Sequence, residues 1–587
     1  MKIKLTRRRV LAGGTCLAAL AALGIYGQAY ADADPVNVQL LSITDFHRQF
    51  APPTGADAEL PGPNGEKLTV GGANYLAAHI KKIQEGQENS LLLSAGDQFG
   101  GYPYESWEYL DEPVVEAFNT MGVDVSTVGN HEIDLSLDYL KRTVDGTCFG
   151  EPGVDSCFDD STGKRFHGSE FDMSSSNLVN AKGELQYEPY VVKKVTTPDG
   201  TKIPVGIING TVTGTEKMNS NYTKEYKTTD LVEAVNKYAA KLKAKGVNAI
   251  VVNVHEGAKP KNPDAPYNGC EEISGPLMDA AAKISPDVDA IMGGHRDGRF
   301  NCSVPDPAGN PRFVIEAGDR GNVVNEMNLA LDPSTGEVVR EESTSENHAV
   351  TRDIEPDAEM KKVTDYWIEK GEKAAASEVA KNSGDISRKK DDSGESTLGN
   401  WAADINLAAS EQTDGGKADF GLVATESHKG ATSLNGDMFF AKSEYPGDAD
   451  GRVTAFEVWK AYGFGNPILT VPLTGAQIEA GLEQQWTATK FAPLGVSSNV
   501  KYSFDADAAI GDRVNPADVQ INGETLDPAK TYRVSMLAYT ALGLDGFAAF
   551  KEFKDFEKGP HDQWFVRGFL KDNPELTPSE TDRVSVK

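Results

Sequence analysis

The feature that most constrains this chain is a series of five short apolar, β-branched runs between residues 36 and 295. Each is followed at once by side chains able to bind a metal. Val36 to Ile43 runs into Asp45 and His47, Ser90 to Ser94 into Asp97, and Val123 to Val128 into Asn130 and His131. Ala249 to Val254 runs into His255, and Asp289 to Met292 into His295. Helical patterns, such as Gly72 to Gln84 and Glu112 to Met121, lie between several of them. Strand alternating with helix predicts a layered α/β domain, in which sites collect at the carboxyl ends of strands. Each motif alone is weak, because Asp-x-His occurs by chance and a lone His is more often structural. The conjunction is stronger: the chain has nine His, and four of them sit at strand ends beside Asp45, Asp97 and Asn130. Mixed His and carboxylate donors suit divalent transition ions rather than calcium or a structural zinc.

Composition bounds the rest. A length of 587 residues exceeds what one core usually holds, so at least two domains are expected. The formal charge of −30 argues against a nucleic-acid polymer or an anionic membrane surface as partner. Lys2, Lys4, Arg7, Arg8 and Arg9 precede an uncharged stretch from Val10 to Ala31 that closes on Ala29-Tyr30-Ala31. That pattern predicts a secretory signal peptide over 1–31, and Thr6 to Leu11 resembles a twin-arginine export signal. Its removal takes five positive and no negative charges, leaving −35. No other apolar run approaches the ~18 residues that span a bilayer, so the expected mature chain is secreted and has no transmembrane anchor. Setting Cys16 aside leaves four cysteines, which in an exported chain read as two disulfides. Proximity favours Cys148–Cys157 and Cys270–Cys302 among three possible connectivities.

Asp45-x-His47, Gly96-Asp97, Gly129-Asn130-His131-Glu132, His255 and Gly293-Gly294-His295 resemble the motifs of calcineurin-like metallophosphoesterases. Their order and spacing, with the C-terminal half, resemble the exported 5′-nucleotidase / 2′,3′-cyclic-nucleotide phosphodiesterase family over roughly residues 36 to 560. The resemblance implies a four-layer α/β/β/α domain over 34–350, an interdomain helix and linker over 351–385, and a second α/β substrate-specificity domain over 386–575. It implies two divalent ions (zinc, manganese, cobalt or similar) that clamp a phosphoryl group and acidify a water. Asp45, His47 and Asp97 would bind one ion, and Asp97, Asn130, His255 and His295 the other. His131 would contact phosphate and leaving group, oriented by Asp134. The implied activity is hydrolysis of nucleotides or related phosphoesters.

Two departures stand out. Where the family places a neutral ligand after Gly-His-x, this chain has Asp297, the expected last ligand of the first ion. Three carboxylates with a hydroxide would then offset the charge of two divalent ions completely, which predicts tight metal binding and a weaker pull on phosphate. In the C-terminal half, Tyr462 to Asn466 and Tyr539 to Phe547 resemble the family's base-binding segments, with Phe464 and Tyr539 as stacking rings and Asn466 and Asp545 as polar partners. The Gly-rich segment that supplies a phosphate-binding Arg is replaced by Ala424-Thr425-Glu426-Ser427-His428-Lys429. Lys429 keeps a cation but loses the bidentate fork. Altered specificity, towards cyclic nucleotides, nucleotide-sugars or other phosphoesters, is therefore the alternative to a 5′-nucleotidase. A binding protein with degraded catalysis is a third expectation.

Overall fold

The structure is a computed structural model that describes residues 34–587 apart from Tyr102, Asn219, Ser220, Ala431, Ser433 and Phe464. The expected export segment 1–31 and the expected stacking ring Phe464 thus lie outside the described residues.

The apolar runs become strands of two six-stranded sheets. In the first, Val36–Ile43, Ser90–Ser94, Val125–Thr127 and Asp172–Ser174 run parallel, and Val323–Leu331 and Thr344–Ala349 extend the other edge antiparallel. In the second, Lys202–Gly210, Ala249–Val254, Ala290–Gly293 and Pro311–Ala317 are parallel neighbours, with Tyr190–Thr196 and Arg299–Pro305 antiparallel at the edges. Every residue of Ala249–Val254 is buried, as a strand covered on both faces requires.

The sheets pack face to face on Val38, Leu40, Leu93 and Val125 from one and Val205, Ile207, Val251 and Met292 from the other. Helices Ala73–Gln84 and Glu112–Met121 cover the outside of the first sheet through Leu76, Ile80, Val114 and Phe118. Helix Leu231–Ala244 covers the second through Val235, Tyr238 and Leu242. The order is helix, sheet, sheet, helix, the four layers expected.

The expected interdomain helix is Ala358–Ala375, capped by the Asp357 carboxylate, which accepts from Met360 N. Its polar composition hides one apolar stripe. Met360, Val363 and Trp367 are buried against the first domain, and the Trp367 indole donates to Glu116. The helix is therefore seated on the first domain rather than suspended between the two.

The second domain is built on a five-stranded sheet in the order Leu494–Val496, Phe420–Ala424, Thr531–Leu537, Pro467–Thr474, Glu557–His561. Helix Thr397–Ala409, capped by Ser396, packs on it through Leu398, Ala402 and Ile405 beside Val423. This unit reaches past both edges of the 386–575 span. Glu378–Asn382 pairs with Arg452–Thr454 and Glu575–Leu576, and Val584–Val586 pairs with Val500–Phe504. Buried Glu395 accepts from the amides of Arg583 and Val584, which fixes that last strand.

Helix Asp562–Asp572 touches the first domain. Trp564 packs edge-on to Tyr139 with ring centroids 6.1 Å apart, and Arg567 pairs with Glu108 at 2.8 Å. Cys148–Cys157 and Cys270–Cys302 are both bonded, with Cα separations of 5.5 and 5.0 Å.

Candidate active site

All five strand ends open on the same edge of the sandwich, and the turns that follow them converge. Polar groups tie the two sheets there: Asn253 Nδ2 donates to Ser94 O at 2.8 Å, and His255 Nδ1 lies 2.8 Å from Ala95 O. Three overlapping donor groups result, each with its ligand atoms within 4.8 Å of one another: His47, Asp97 and His131; Asp97, His255 and His295; Asp45, His47 and Asp297. Asp97 belongs to two of them and joins the halves of the cluster. Asn130 adds its Oδ1 at 3.1 Å from His255 Nε2. All seven expected ligands are thus brought together.

The orientation of each donor follows from its hydrogen bonds. His255 and His47 turn Nδ1 towards the carbonyls of Ala95 and Phe99, at 2.8 and 3.1 Å, which leaves Nε2 of each ring facing the carboxylates. Asp45 Oδ2 accepts from Thr44 Oγ1 at 2.6 Å and from His295 N at 2.8 Å. Asp45 Oδ1 is buried, accepts no hydrogen bond, and lies 3.6 Å from His47 Nε2. A buried carboxylate oxygen without a donor is costly unless a cation completes it. This orphaned oxygen, inside a set of imidazole and carboxylate donors, is the test of fit for a divalent ion, and the residues pass it.

Backbone geometry shows how tightly the cluster is built. Asp45, His47, Asp97, His295 and Asp297 all have positive φ, between 49° and 75°. Non-glycine residues hold such conformations at about 1–3 kcal/mol each, and only where their surroundings enforce them. Two carboxylates brace the turns that carry Asp97 and Asp297. Fully buried Glu132 accepts from the amides of Asp97, Gln98 and Gly129 at 2.9, 2.7 and 2.6 Å. Burial, and Asp97 next to it, raise its pKa to about 7. Glu316 accepts from Ala258 and Gly298 at 2.9 Å each and so ties the turn after His255 to the turn after Asp297. Neither brace is among the expected site residues, although Glu132 closes the Gly-Asn-His-Glu motif.

The glycines of the motifs have the same cause. A Cβ at Gly129 would strike the carboxylate and amide of Asp97, and one at Gly294 would strike Thr44 Oγ1. Gly129→Ala should destabilise the fold by about 1–3 kcal/mol and lower metal content with it. Thermal melting and elemental analysis of the same preparation check both, and an unaltered melting point would show that the Asp97 turn can move aside.

Electrostatics distinguish the histidines. Burial opposes charge on His255, but Asp97 at 3.0 Å outweighs it and raises the pKa to about 10. His295 goes the other way, to about 4, through burial and the neighbouring His255. Asp97 is held far below the usual carboxylate range: burial works against this, and His255 and His131 overcome it. A cation entering the cluster would displace the His255 proton, so metal uptake releases protons.

His131 stands apart. Its Nδ1 lies 2.6 Å from Asp134 Oδ2, across the short turn His131–Ile133, and its amide donates to Asp97 Oδ1 at 2.9 Å. Burial disfavours its charge, yet Asp134 and Asp97 raise its pKa to about 10. Asp297 is the most open of the set, with 46% of its side chain exposed and Lys259 Nζ at 3.6 Å.

The cluster faces a cleft of about 560 Å³ between the domains. His47, Arg48, His131, Asp134 and Arg320 line it from one side, and Trp459, Asn466, His561 and Gln563 from the other. Arg48 is held by Asp111 at 2.9 Å, and Arg320 by Asp319 at 2.5 Å. Of the expected substrate-binding residues, Asn466 lines this cleft, while Lys429, Tyr539 and Asp545 do not. Those three gather at the carboxyl end of the parallel pair Phe420–Ala424 and Thr531–Leu537. The backbone carbonyl of Asp545 accepts from His428 N at 2.7 Å, and burial raises its carboxyl to about 6 against the pull of Thr540 and Lys429. Beside the segment that replaces the family's phosphate-binding Arg, Lys390 and Lys490 both pair with Glu426, and Arg388 pairs with Asp437.

A two-sheet α/β sandwich with clustered His, Asp and Asn donors at its strand ends defines a metallophosphoesterase fold. Residues 38–296 match the family described as calcineurin-like phosphoesterase, and residues 373–552 match the 5′-nucleotidase C-terminal domain. The chain belongs to the calcineurin-like phosphoesterases that carry a 5′-nucleotidase C-terminal domain. It is 28% identical over 559 residues to the cell wall protein Lmo0130 of Listeria monocytogenes, covering 89% of this chain and 65% of that one. It is 26% identical over 513 residues to endonuclease YhcR of Bacillus subtilis, covering 87% of this chain. The chain thus spans 65% and 37% of the lengths of these two relatives. The fold is shared with the NAD nucleotidase of Haemophilus influenzae at a TM-score of 0.58 and 18% identity, over 94% of this chain and all of that one.

Proposed function

We propose that the chain is an exported phosphoesterase that hydrolyses nucleotides to nucleoside and phosphate with two divalent ions of the zinc, manganese or cobalt type. The observation that carries this reading is the orphaned Asp45 oxygen within three overlapping donor groups, set beside the His131–Asp134 pair on an open cleft. Asp45, His47, Asp97 and Asp297 would hold one ion, and Asp97, Asn130, His255 and His295 the other. Ions bound there supply charge stabilisation of the phosphoryl group and an acidified water.

The chain's own residues do the rest. Asp134 fixes the His131 tautomer and keeps a proton on the ring, which places a charged donor at the cleft for phosphate and leaving oxygen. Arg48 and Arg320 put guanidinium groups on the same walls, but each is paired with a carboxylate, Asp111 and Asp319, so the charge that receives an anion would come from the ions and His131. Asn466 faces this site from the second domain. Asp297→Gln should lower metal affinity while leaving turnover unchanged or raised, as metal titration with phosphate release would read. Unchanged metal content would remove Asp297 from the ligand set.

A second reading keeps the chemistry and changes the substrate to a cyclic nucleotide, nucleotide-sugar or other phosphoester. The pairing of Lys390 and Lys490 with Glu426 favours it, because it ties up both lysines beside the segment that replaces the family's phosphate-binding Arg. Phosphate release across mono-, di-, tri- and cyclic nucleotides with defined metals separates the two. Release from no member of the panel would leave a binding protein, the third reading. Export is supported by the two disulfides and by the cell-wall naming of one relative. The twin-arginine route is part of the proposal.

A further inference from the structure

A loop of the second domain carries buried carboxylate oxygens that no donor answers. Asp448 and Glu457 are 6% and 0% exposed. One oxygen of each is satisfied: Asp448 Oδ2 accepts from Ser443 N at 2.5 Å, and Glu457 Oε2 accepts from Thr454 N at 2.7 Å. The other two, Asp448 Oδ1 and Glu457 Oε1, are buried and accept no hydrogen bond. Burial raises the Glu457 carboxyl to about 7, and nearby Asp448 adds to the rise against the pull of the Thr454 amide. Arg452, the one cation between 446 and 457, is engaged elsewhere: it pairs with Glu378 at 3.5 Å and donates to Ala376 O at 2.9 Å. Two neighbouring carboxylates buried in this way are costly unless a cation completes them.

The spacing says which cation. A twelve-residue calcium loop of the EF-hand type places acidic side chains at its third, fifth and twelfth positions, a glycine in a sharp turn at the sixth, and a ligating carbonyl at the seventh. Counted from Pro446, Asp448 and Asp450 fall at the third and fifth positions, Gly451 at the sixth, Arg452 at the seventh and Glu457 at the twelfth. The local structure keeps the same register. Gly451 has a φ of 71°, Arg452–Thr454 forms the short strand that follows, and helix Ala455–Ala461 then carries Glu457 in its first turn. We propose that residues 446–457 bind a calcium ion through Asp448, Asp450 and Glu457, at a site separate from the donor cluster. Pro446 supplies no side-chain oxygen at the first position, so the affinity falls on the order of 10⁻⁴–10⁻³ M, the range of extracellular modules. The bound ion ties the loop to helix Ala455–Ala461, whose Trp459 lines the catalytic cleft, and so firms that wall of the cleft.

Thermal melting of the full-length protein reads the site without turnover. Calcium at about 10 mM should raise the melting temperature by roughly 3–6 °C, and magnesium at the same concentration should raise it less, because it demands a tighter octahedral shell. Asp448→Asn and Glu457→Gln keep the shape and the accepted amides but lose the charge, and both should abolish the calcium shift. Asp450→Asn changes an exposed position, leaves the core untouched, and should weaken the shift. Asp97→Asn, which disables the donor cluster, should retain it. Terbium luminescence sensitised by Trp459, two residues beyond Glu457, reads binding directly: calcium should quench it in the wild type, and Asp450→Asn should weaken it. No calcium shift in the wild type, an equal shift with magnesium, a shift unchanged in all three loop variants, or a shift lost only in Asp97→Asn would overturn the site.

Discussion

His131→Ala should cut kcat for phosphate release by on the order of 10²- to 10⁴-fold, the usual contribution of a positioned proton donor, and should leave most of the metal in place. The ring is held by Asp134 rather than by the carboxylates that tie the other histidines, and it projects into the cleft. Its removal therefore takes away a charged donor without opening the pairs between Asp97 and His255 or Asp45 and His47. Asp134→Asn should produce a smaller loss and a shifted acid–base profile, because the ring keeps its place but loses the charge that holds its proton. Phosphate release and elemental analysis on one preparation check the prediction. Full activity in His131→Ala would remove His131 from the chemistry.

Asp97→Asn should be more severe for the metals. Asp97 is the one carboxylate common to the donor groups that contain His131 and His255, and its Oδ1 also fixes the His131 amide. Losing its charge should reduce metal affinity by more than the roughly 10–100-fold that an outer-shell partner costs, and activity at limiting metal should fall in step. Metal content per chain after dialysis is the readout. Retention of both ions would show that Asp97 does not bridge them.

The strands and their ligands were legible because local pattern and local chemistry coincide in them. A run buried on both faces announces itself as continuous apolar sequence, and the turn that ends it carries the donor. Val36–Ile43, Ser90–Ser94 and Ala249–Val254 form over the expected residues, and the five turns converge because the sheets pack face to face with these strand ends at one edge. What was not legible depends on long-range packing. Glu316 lies inside an ordinary edge-region strand, and nothing nearby in sequence says that it ties Ala258 to Gly298. Arg48 follows a ligand directly, yet its partner Asp111 is 63 residues away.

The departures from the family pattern also changed in meaning. From the sequence, Asp297 completes the cancellation of the two ions' charge, but Lys259 stands beside it from another turn and offsets part of the carboxylate's charge. Lys429 looked like a substitute for a phosphate-binding Arg. The structure instead sets it beside buried Asp545, away from the donor cluster. The binding side of the molecule is therefore less readable than the metal side, because it is assembled from two domains rather than from consecutive strand ends.

The most direct measurement is a metal titration of the chelator-stripped, full-length protein with manganese, following phosphate release from AMP. Stripped protein should release no phosphate, and activity should return with added metal and level off at two ions per chain. Undiminished release from the stripped protein would contradict the account.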